Sequence, residues 1–327
     1  MDAAILLNGV TKTFGATTAV RDLDLVVPRG GLYGFIGPNG AGKTTTIRLI
    51  MSILFPDSGE VSVLGRSAAQ EAKDRIGYLP EERGVYRKMR VGAFLTYIAR
   101  LKGVGDTLVS DRVTKLLERV GLADTERKRC EELSKGMLQK LQFLTAIVHE
   151  PDLLILDEPF SGLDPLSTRL LRDLILDEHR RGATILFSTH VMPQAEEICR
   201  QVVMIHRGRK VLDEDLASIR RRYNPRAIRF EPLDSLADVS PVLTALAEVE
   251  RVDRRDDGYE ILLAEGTDPA TAIRRVTAAV APARIELSRP RLEDVFVQIV
   301  SGGTAGADAA QKLKAELRAD DAAAAAV

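Results

Sequence analysis

The most informative segment of the chain is Leu32-Tyr33-Gly34-Phe35-Ile36-Gly37-Pro38-Asn39-Gly40-Ala41-Gly42-Lys43-Thr44-Thr45. It begins as a short apolar strand and continues into a loop of the pattern G-x-x-x-x-G-K-[ST]. A helix is predicted to begin at Lys43 and to end at Ile53, before the turn residues Pro56-Asp57-Ser58-Gly59. The segment therefore predicts a strand, a glycine-rich loop and a helix in direct succession.

This loop has the features of a phosphate-binding loop. Glycines let successive backbone amides converge on phosphate oxygens, and the start of the helix adds the positive end of its dipole. Lys43 is predicted to reach the β- and γ-phosphates of a nucleotide, and the Thr44 hydroxyl to ligate Mg²⁺. The predicted phosphate contacts are Gly37, Pro38, Asn39, Gly40, Ala41, Gly42, Lys43, Thr44 and Thr45.

A second motif places two carboxylates at the end of an apolar strand, Leu153-Leu154-Ile155-Leu156, which runs into Asp157-Glu158. Open α/β sheets bind ligands at the carboxyl ends of their strands, so both carboxylates are predicted to lie near the phosphates. Asp157 is predicted to hold Mg²⁺ through its water shell. Glu158 is predicted to polarise the water that attacks the γ-phosphate.

Apolar strands alternate with helices along the first two thirds of the chain, which predicts an α/β fold with a parallel-sheet core of the P-loop NTPase kind. Strands near the N-terminus predict an antiparallel β subdomain, and residues 88–150 a helical insertion. The predicted ATPase domain spans residues 1–222. Residues 223–300 show a βαββαβ order, which predicts a small α+β ferredoxin-like domain, and the alanine-rich tail 301–327 is predicted to be disordered.

Composition limits the classes of function. The formal net charge is -1, whereas polyanion-binding proteins carry a basic excess, so nucleic acid is predicted not to be a partner. The two cysteines have no metal-site spacing and predict a reducing compartment. No apolar run approaches the ~18 residues needed to cross a bilayer, so a role in a membrane process requires a membrane-embedded partner.

Further motifs carry a resemblance to a known family. Leu133-Ser134-Lys135-Gly136-Met137 is similar to the signature LSGGQ, Ser161-Gly162-Leu163-Asp164 looks like a D-loop, and His190 follows an apolar strand where the family has its switch histidine. In their order and spacing these motifs resemble the ATP-binding subunits of ABC transporters. Phe14 matches the aromatic residue that stacks on adenine in that family.

The resemblance implies a mechanism and two kinds of partner. It implies that ATP and Mg²⁺ bind between two subunits arranged head to tail, here a homodimer, with Ser134, Gly136 and Asp164 reaching the partner's nucleotide. His190 would contact the γ-phosphate. The same resemblance implies ATP hydrolysis coupled to transport by transmembrane permease subunits, which would hold the chain at the cytoplasmic face of the membrane.

One departure from the family pattern suggests a subgroup. Glu81 stands where the family usually has glutamine, next to the predicted Mg²⁺ site, and is a candidate metal contact. The segment Glu82-Arg83-Gly84-Val85-Tyr86 and the C-terminal Leu292-Glu293-Asp294-Val295-Phe296 resemble exporter subunits, including sodium- and drug-export ATPases. The segment from Pro80 to Lys88 is accordingly predicted to couple the nucleotide to the membrane subunit.

Other interpretations remain open at this stage. The chain could be a soluble ABC-type ATPase that acts on nucleic acid or the ribosome, or an adaptor with a degenerate ATP site. Read without the family, Ser134 would be only a helix cap, Phe14 a core residue, His190 a surface group and Glu81 a solvent-exposed carboxylate.

Overall fold

The computed structural model describes residues 2–67, 69–82, 84–223, 226–234, 238–255, 258–288 and 290–301. These residues form two compact units. One holds the chain up to Leu216 and resumes at Phe296, and the other holds Ala217–Val295. The domain bounds 1–222 and 223–300 stay predictions. Of the predicted tail 301–327, residues 302–327 lie outside the described residues.

A six-stranded sheet forms the centre of the larger unit. Its strands lie in the order β5-β6-β7-β3-β8-β9, of which the first five run parallel and β9 runs antiparallel to β8. Every residue of β3, β6 and β7 is buried, as expected for a parallel sheet covered on both faces. The strands are β3 (Leu32–Ile36), β5 (Ile76–Leu79), β6 (Leu153–Asp157), β7 (Thr184–Thr189), β8 (Gln201–His206) and β9 (Arg209–Asp215).

A three-stranded antiparallel sheet packs against this core. Its strands, in the order β2-β1-β4, are β1 (Ala3–Phe14), β2 (Thr17–Pro28) and β4 (Ser58–Val63). The long β1 and β2 replace the short strands predicted around Ile5–Leu7 and Leu23–Val27. Their inward side chains, with those of helix α1, form one buried apolar cluster that includes Ile5, Leu7, Leu23, Leu25, Phe35 and Ile47.

The helices of the larger unit are α1 (Lys43–Ile50), α2 (Val91–Leu101), α3 (Asp106–Arg119), α4 (Lys135–Ile147), α5 (Pro165–Arg181) and α6 (Met192–Ile198). Helices α2, α3 and α4 lie within the predicted helical insertion. The prediction that α1 reaches Ile53 was wrong, because Ser52 adopts a φ of +52°, which cannot continue a right-handed helix. In the described residues, no helix is both long and apolar enough to cross a membrane.

The smaller unit contains a four-stranded antiparallel sheet in the order β11-β12-β10-β13. This order places the first strand of the unit between its third and fourth, which confirms the predicted ferredoxin-like arrangement. The elements wholly within this unit are β10 (Ala227–Pro232), α8 (Ser240–Thr244), β11 (Val249–Arg255), β12 (Gly258–Leu263), α9 (Pro269–Ala279) and β13 (Pro282–Leu287). The helices α7 (Leu216–Arg222) and α10 (Leu292–Val300) cross the two chain boundaries of the unit.

One helix of this unit is shorter than predicted. The sequence predicts a helix from Leu236 to Ala247, whereas α8 covers Ser240–Thr244 and Leu236 lies outside the described residues. Pro241 explains the start of α8, because proline fits the first turn of a helix but not its interior. The predicted turn residues Asp256 and Asp257 also lie outside the description.

Candidate nucleotide site

Three loops meet at one edge of the central sheet. Strands β6, β7 and β3 are parallel neighbours, so their carboxyl ends lie side by side. The glycine-rich loop follows β3, Asp157 ends β6 and is followed by Glu158, and His190 follows β7. The fold therefore brings together residues that are more than a hundred positions apart in the chain.

The glycine-rich loop is fixed by close backbone packing. Gly42, which precedes α1, has a φ of +107°, and a Cβ atom there would lie 2.3 Å from the carbonyl oxygen of Ala19. Only glycine fits this position. Gly37 is equally enclosed, since a Cβ atom there would lie 2.3 Å from Ile205 O. The loop thus begins and ends at glycines that the neighbouring backbone requires.

Lys43 turns back into the loop. Its Nζ donates to Gly37 O at 2.8 Å and lies 3.5 Å from Glu158 Oε1, and the residue is 6% exposed. A buried ammonium group needs such partners, because isolation from water disfavours the charge. The structure thus holds a positive charge at the position where the motif predicts contact with phosphate.

Glu158 lies between two basic groups. Nδ1 of His190 is 2.8 Å from the same Oε1 atom that faces Lys43, and it donates there in the tautomer that carries its proton on Nδ1. Glu158 is 8% exposed and has a φ of +49°, a conformation that non-glycine residues rarely adopt. The two neighbouring carboxylates have different partners, since that of Glu158 contacts Lys43 and His190 whereas that of Asp157 contacts Ser188 and Thr44.

Asp157 is almost fully buried at the end of β6. The Ser188 hydroxyl donates to Oδ1, and the Thr44 hydroxyl donates to the same atom at 3.4 Å. Oδ2 is buried and accepts no hydrogen bond from the described part of the chain. Burial raises the pKa of Asp157, although the hydrogen bonds from Ser188 and Thr44 oppose that rise. A buried carboxylate oxygen that accepts no hydrogen bond, in a side chain bonded to the Thr44 hydroxyl, is a suitable ligand for a hard divalent cation.

Ser188 is a site residue that the sequence analysis did not identify. Its hydroxyl bonds Asp157 and also accepts a hydrogen bond from the Glu158 amide at 3.2 Å, so it positions both carboxylate residues. The parallel register pairs Ser188 with Asp157. Its position at the end of an apolar strand, just before Thr189 and His190, was the available signal.

Phe14 is not a core residue. Its side chain is 48% exposed, and Nζ of Lys12 lies 5.6 Å from the centre of its ring. Asp57 holds this arrangement, because its carboxylate accepts from Lys12 Nζ and from the Thr13 amide, each at 2.7 Å. An exposed ring at the end of β1 is compatible with stacking on a base, and the roles of Lys12 and Asp57 were not foreseen.

The signature-like segment forms the start of α4. Ser134 is the helix cap and accepts a hydrogen bond from the Met137 amide at 3.3 Å. Ser134 is exposed, and a Cβ atom on Gly136 would meet nothing nearer than Leu163 Cδ2 at 3.9 Å. This second helix start therefore lies at the surface, next to the Ser161–Asp164 loop.

Asp164 has a structural role in the described chain. It caps α5, accepting hydrogen bonds from the Ser167 amide at 2.9 Å and from the Ser167 hydroxyl at 2.6 Å. These bonds, the one from the hydroxyl first, lower the pKa of Asp164. Its predicted contact with a partner's nucleotide stays a prediction.

The segment that contains Glu81 and Tyr86 reaches from the site to the helical insertion. Glu81 is exposed, and its charge is one of those that raise the pKa of Asp157. Tyr86 packs edge-on against Phe94 and Tyr97, with ring centres 5.9 Å apart in both pairs, yet stays 57% exposed. Arg83 lies outside the described residues.

Comparisons with known proteins identify the family. Residues 20–161 match the family model described as ABC transporter, and residues 215–300 match that of the ATP-binding protein DrrA1-3-like C-terminal domain. The uncharacterized ABC transporter ATP-binding protein YhaQ of Bacillus subtilis is 38% identical over 90% of this chain and 98% of its own length. The bacitracin transport ATP-binding protein BcrA of Bacillus licheniformis is 32% identical over 94% of this chain and 100% of its own length.

Solved structures agree with these relatives. A structure titled as the ATP binding subunit of an ABC transporter has a TM-score of 0.63 and 32% identity, covering 67% of this chain and 93% of that one. These proteins give no support to an ATPase that acts on nucleic acid. The chain therefore belongs to the ATP-binding proteins of ABC transporters, ATPases that work with membrane permease subunits.

Proposed function

We propose that this chain hydrolyses ATP with Glu158 as the residue that activates water, within a head-to-tail dimer that drives export through separate membrane subunits. The observation that carries this proposal is the meeting of Lys43 and His190 on one oxygen of Glu158. A carboxylate so oriented can accept a proton from water at a defined place, which is what general-base catalysis requires.

Thr44 and Asp157 fit a magnesium ion. Asp157 brings a buried oxygen that accepts no hydrogen bond from the described residues, and Thr44 brings a hydroxyl 3.4 Å from the other carboxylate oxygen. Mg²⁺ bound there would offset the charge of the β- and γ-phosphates. Glu81 is exposed and offers its charge to this region rather than an enclosed ligand position.

The remaining site residues bind and orient the nucleotide. When ATP binds, Nζ of Lys43 donates to phosphate oxygens instead of Gly37 O. Its ion pair with Glu158 then weakens, and the Glu158 carboxylate can accept a hydrogen bond from water. His190 keeps Glu158 in place by donating from Nδ1, and with a second proton on Nε2 it would also donate to an oxygen of the γ-phosphate. The amides of residues 37–45 surround the phosphates, and the exposed ring of Phe14 stacks on adenine.

The dimer is supported by the position of the second helix start. Ser134 and Gly136 lie at the surface, on a helix of thirteen residues whose first turn points positive partial charge outward. Among the described residues, the side chain of Ser134 bonds only the Met137 amide of its own helix. A second copy placed head to tail would bring them to the partner's γ-phosphate, with the Ser161–Asp164 loop at the same interface.

Export and the membrane partner are supported by the relatives and by one surface. The curated relatives include a bacitracin transport protein and a Nod factor export protein of Cupriavidus pinatubonensis, which is 33% identical over 91% of both chains. The half-exposed rings of Tyr86 and Tyr97 provide an apolar contact for a membrane subunit. This contact would hold the chain at the cytoplasmic face of the membrane.

Glu158→Gln tests the proposal directly. Turnover of ATP by the purified protein should fall about 10² to 10⁴-fold, because the general base is lost, whereas ATP affinity should remain. The variant should also form a dimer in ATP and Mg²⁺, measured by size-exclusion chromatography with light scattering. Near-normal turnover would refute the role of Glu158, and a persistent monomer, with or without membrane subunits, would refute the head-to-tail dimer.

A further inference from the structure

Two segments that are distant in the sequence form a short antiparallel ribbon in the helical insertion. Residues 87–92 pair with residues 126–131, and a bridge places Arg90 opposite Arg129. The hydrogen bonds on either side of the bridge, each of 2.9 Å, run from Val91 N to Lys128 O and from Cys130 N to Met89 O. We refer to residues 87–92 and 126–131 as the basic ribbon.

The ribbon has a buried face and a charged face. At the bridge, Arg90 and Arg129 lie on one side of the ribbon, and both are exposed. Their chain neighbours Val91 and Cys130 are 0% exposed. The flanking residues Lys88, Arg127 and Glu131 are exposed as well. The exposed residues of the ribbon therefore include four cations close to the bridge.

These cations are only partly neutralised by the chain itself. Among the described residues, Arg129 has a carboxylate partner, Glu131, at 3.4 Å, whereas Lys88, Arg90 and Arg127 have none within 4.0 Å. Like charges directly opposite each other on paired strands are destabilising. The bridge between Arg90 and Arg129 is such a pair, and a bound anion would relieve its repulsion.

The ribbon also adjoins the proposed contact with the membrane subunit. Tyr86 immediately precedes it, and Arg90 is the cap residue of α2, the helix that carries Tyr97. A surface that receives a membrane-embedded partner lies close to the bilayer, so the adjoining cations face the headgroups. The cytoplasmic leaflet is negatively charged and attracts clusters of lysine and arginine.

We propose that the basic ribbon binds the phosphate groups of anionic lipids at the membrane surface. The exposed cations belong to two chain segments, which suits several headgroups better than one peptide carboxylate. The proposal rests on the proposed function, because the membrane subunit is what turns this face toward the bilayer. An acidic protein segment and nucleic acid are the other polyanions, and the test distinguishes both.

The experiment is co-sedimentation of the full chain with vesicles at low salt. Vesicles of equimolar phosphatidylglycerol and phosphatidylcholine should bind the protein, and pure phosphatidylcholine should not. Each cation contributes about fivefold to the partition coefficient, so Arg90→Gln with Arg129→Gln should lower it roughly 25-fold. Arg274→Gln with Arg275→Gln, two exposed arginines of α9, is the control with the same change in net charge.

A second pair of variants separates charge from shape. Arg90→Lys with Arg129→Lys should retain vesicle binding, because a plane of headgroups responds to charge and not to the fork of a guanidinium. Equal binding to both kinds of vesicle, an equal loss in the α9 control, or tighter binding of a single-stranded RNA than of vesicles by the same ribbon would overturn the proposal.

Failure here can be told apart from failure of the proposed function. Vesicle binding by the isolated chain requires neither ATP nor a membrane subunit, and the ribbon residues are not part of the nucleotide site. Glutamine variants that bind vesicles normally but fail to assemble with the membrane subunit in detergent would assign the ribbon to an acidic protein segment instead. That result would overturn the lipid proposal and leave the ATPase mechanism untouched.

Discussion

The first turns of α1 and α4 begin alike and are used differently. Each starts with a lysine, Lys43 or Lys135, after a residue that ends the preceding loop. Gly42 caps α1 without a side chain, so the first amides of α1 are open to a ligand. Ser134 caps α4 and already bonds the Met137 amide. Lys43 is buried among site residues, whereas Lys135 is exposed.

In the proposed mechanism, this difference separates a site whose residues all come from one chain from a site that would need a second molecule. Around α1 the chain supplies Lys43 and His190 in contact with Glu158, and Thr44 in contact with Asp157. Around α4 it supplies a helix dipole and a capped turn on the surface. Nucleotide binding should therefore depend on α1 in the isolated chain, and turnover should depend on both helices.

The largest expected effect on ATP binding comes from replacing each of the two matched lysines by alanine. Lys43→Ala removes a charged hydrogen-bond donor from the phosphates, which should cost about 1.5–3 kcal/mol of ATP binding, or roughly a 10- to 150-fold loss of affinity. Lys135→Ala should leave the ATP affinity of the monomer unchanged. Isothermal titration calorimetry measures both, and equal losses in the two variants would remove the distinction between the helix starts.

Much of the α1 site could be predicted because its signals are local. Lys43, Thr44, Asp157 and Glu158 stand in short motifs at the ends of apolar strands, and a parallel sheet brings such ends together. The same logic predicted the central sheet. It failed for the end of α1, because nothing in the sequence marks Ser52 as a left-handed residue.

The second prediction concerns the other end of α4, where His149 anchors the helix to the core. Nε2 of His149 donates to Ile76 O at 3.1 Å, and Nδ1 is buried without a hydrogen-bond partner among the described residues. Burial, and then the nearby Lys102 charge, lower the pKa of His149 to about 4. The ordinary pKa of an exposed histidine is about 6.5, the value expected in the unfolded chain.

The direction in which pH changes the free energy of unfolding follows from proton linkage. Below pH 6.5 His149 becomes protonated in the unfolded chain but stays neutral in the folded chain. The contribution of neutral His149 to the free energy of unfolding is therefore fully present above pH 6.5 and is lost as the pH falls toward 4. The loss should reach up to about 3 kcal/mol, and His149→Gln should remove that part of the pH dependence. Urea unfolding at pH 7, 5.5 and 4.5 measures it. An unchanged pH dependence in the variant would contradict the assignment to His149.

The third prediction returns to the start of α4. Ser134→Ala loses a helix cap and should cost about 1 kcal/mol of stability. ATP affinity of the monomer should not change, but turnover and dimer formation should fall, because the outward anion site is damaged. Ser134→Asn restores the cap but not the small hydroxyl. If Ser134→Asn recovers both stability and turnover, capping is the whole role of Ser134.

What the sequence could not reveal arises from pairing between distant segments. The net charge of the whole chain gives no sign of the basic ribbon, because Arg90 and Arg129 become neighbours only when their segments pair. Ser188 contacts Asp157 and Glu158 because the register of β6 and β7 places it opposite Asp157. Lys12 lies near the ring of Phe14 because its Nζ is bonded to the carboxylate of Asp57. These contacts depend on tertiary structure, and no local motif encodes them.

The smallest expected effect on the isolated chain is that of Tyr86→Ala, which sharpens the comparison by probing another incomplete surface. Tyr86 is 57% exposed, and its loss removes edge contacts with Phe94 and Tyr97 that are worth about 0.5–1.5 kcal/mol each when fully formed. The cost in stability should be near the lower value because water already covers half of the ring. ATP turnover of the isolated chain should be unchanged, since the ring contacts of Tyr86 in the described residues are with Phe94 and Tyr97 of α2. Transport by the complex with its membrane subunits should fall more than ATP hydrolysis, because the surface that passes on the movement is reduced. Tyr86→Phe, which retains the ring, is the matched control, and equal losses of transport and hydrolysis in Tyr86→Ala would show that the segment from Pro80 to Lys88 does not couple the two.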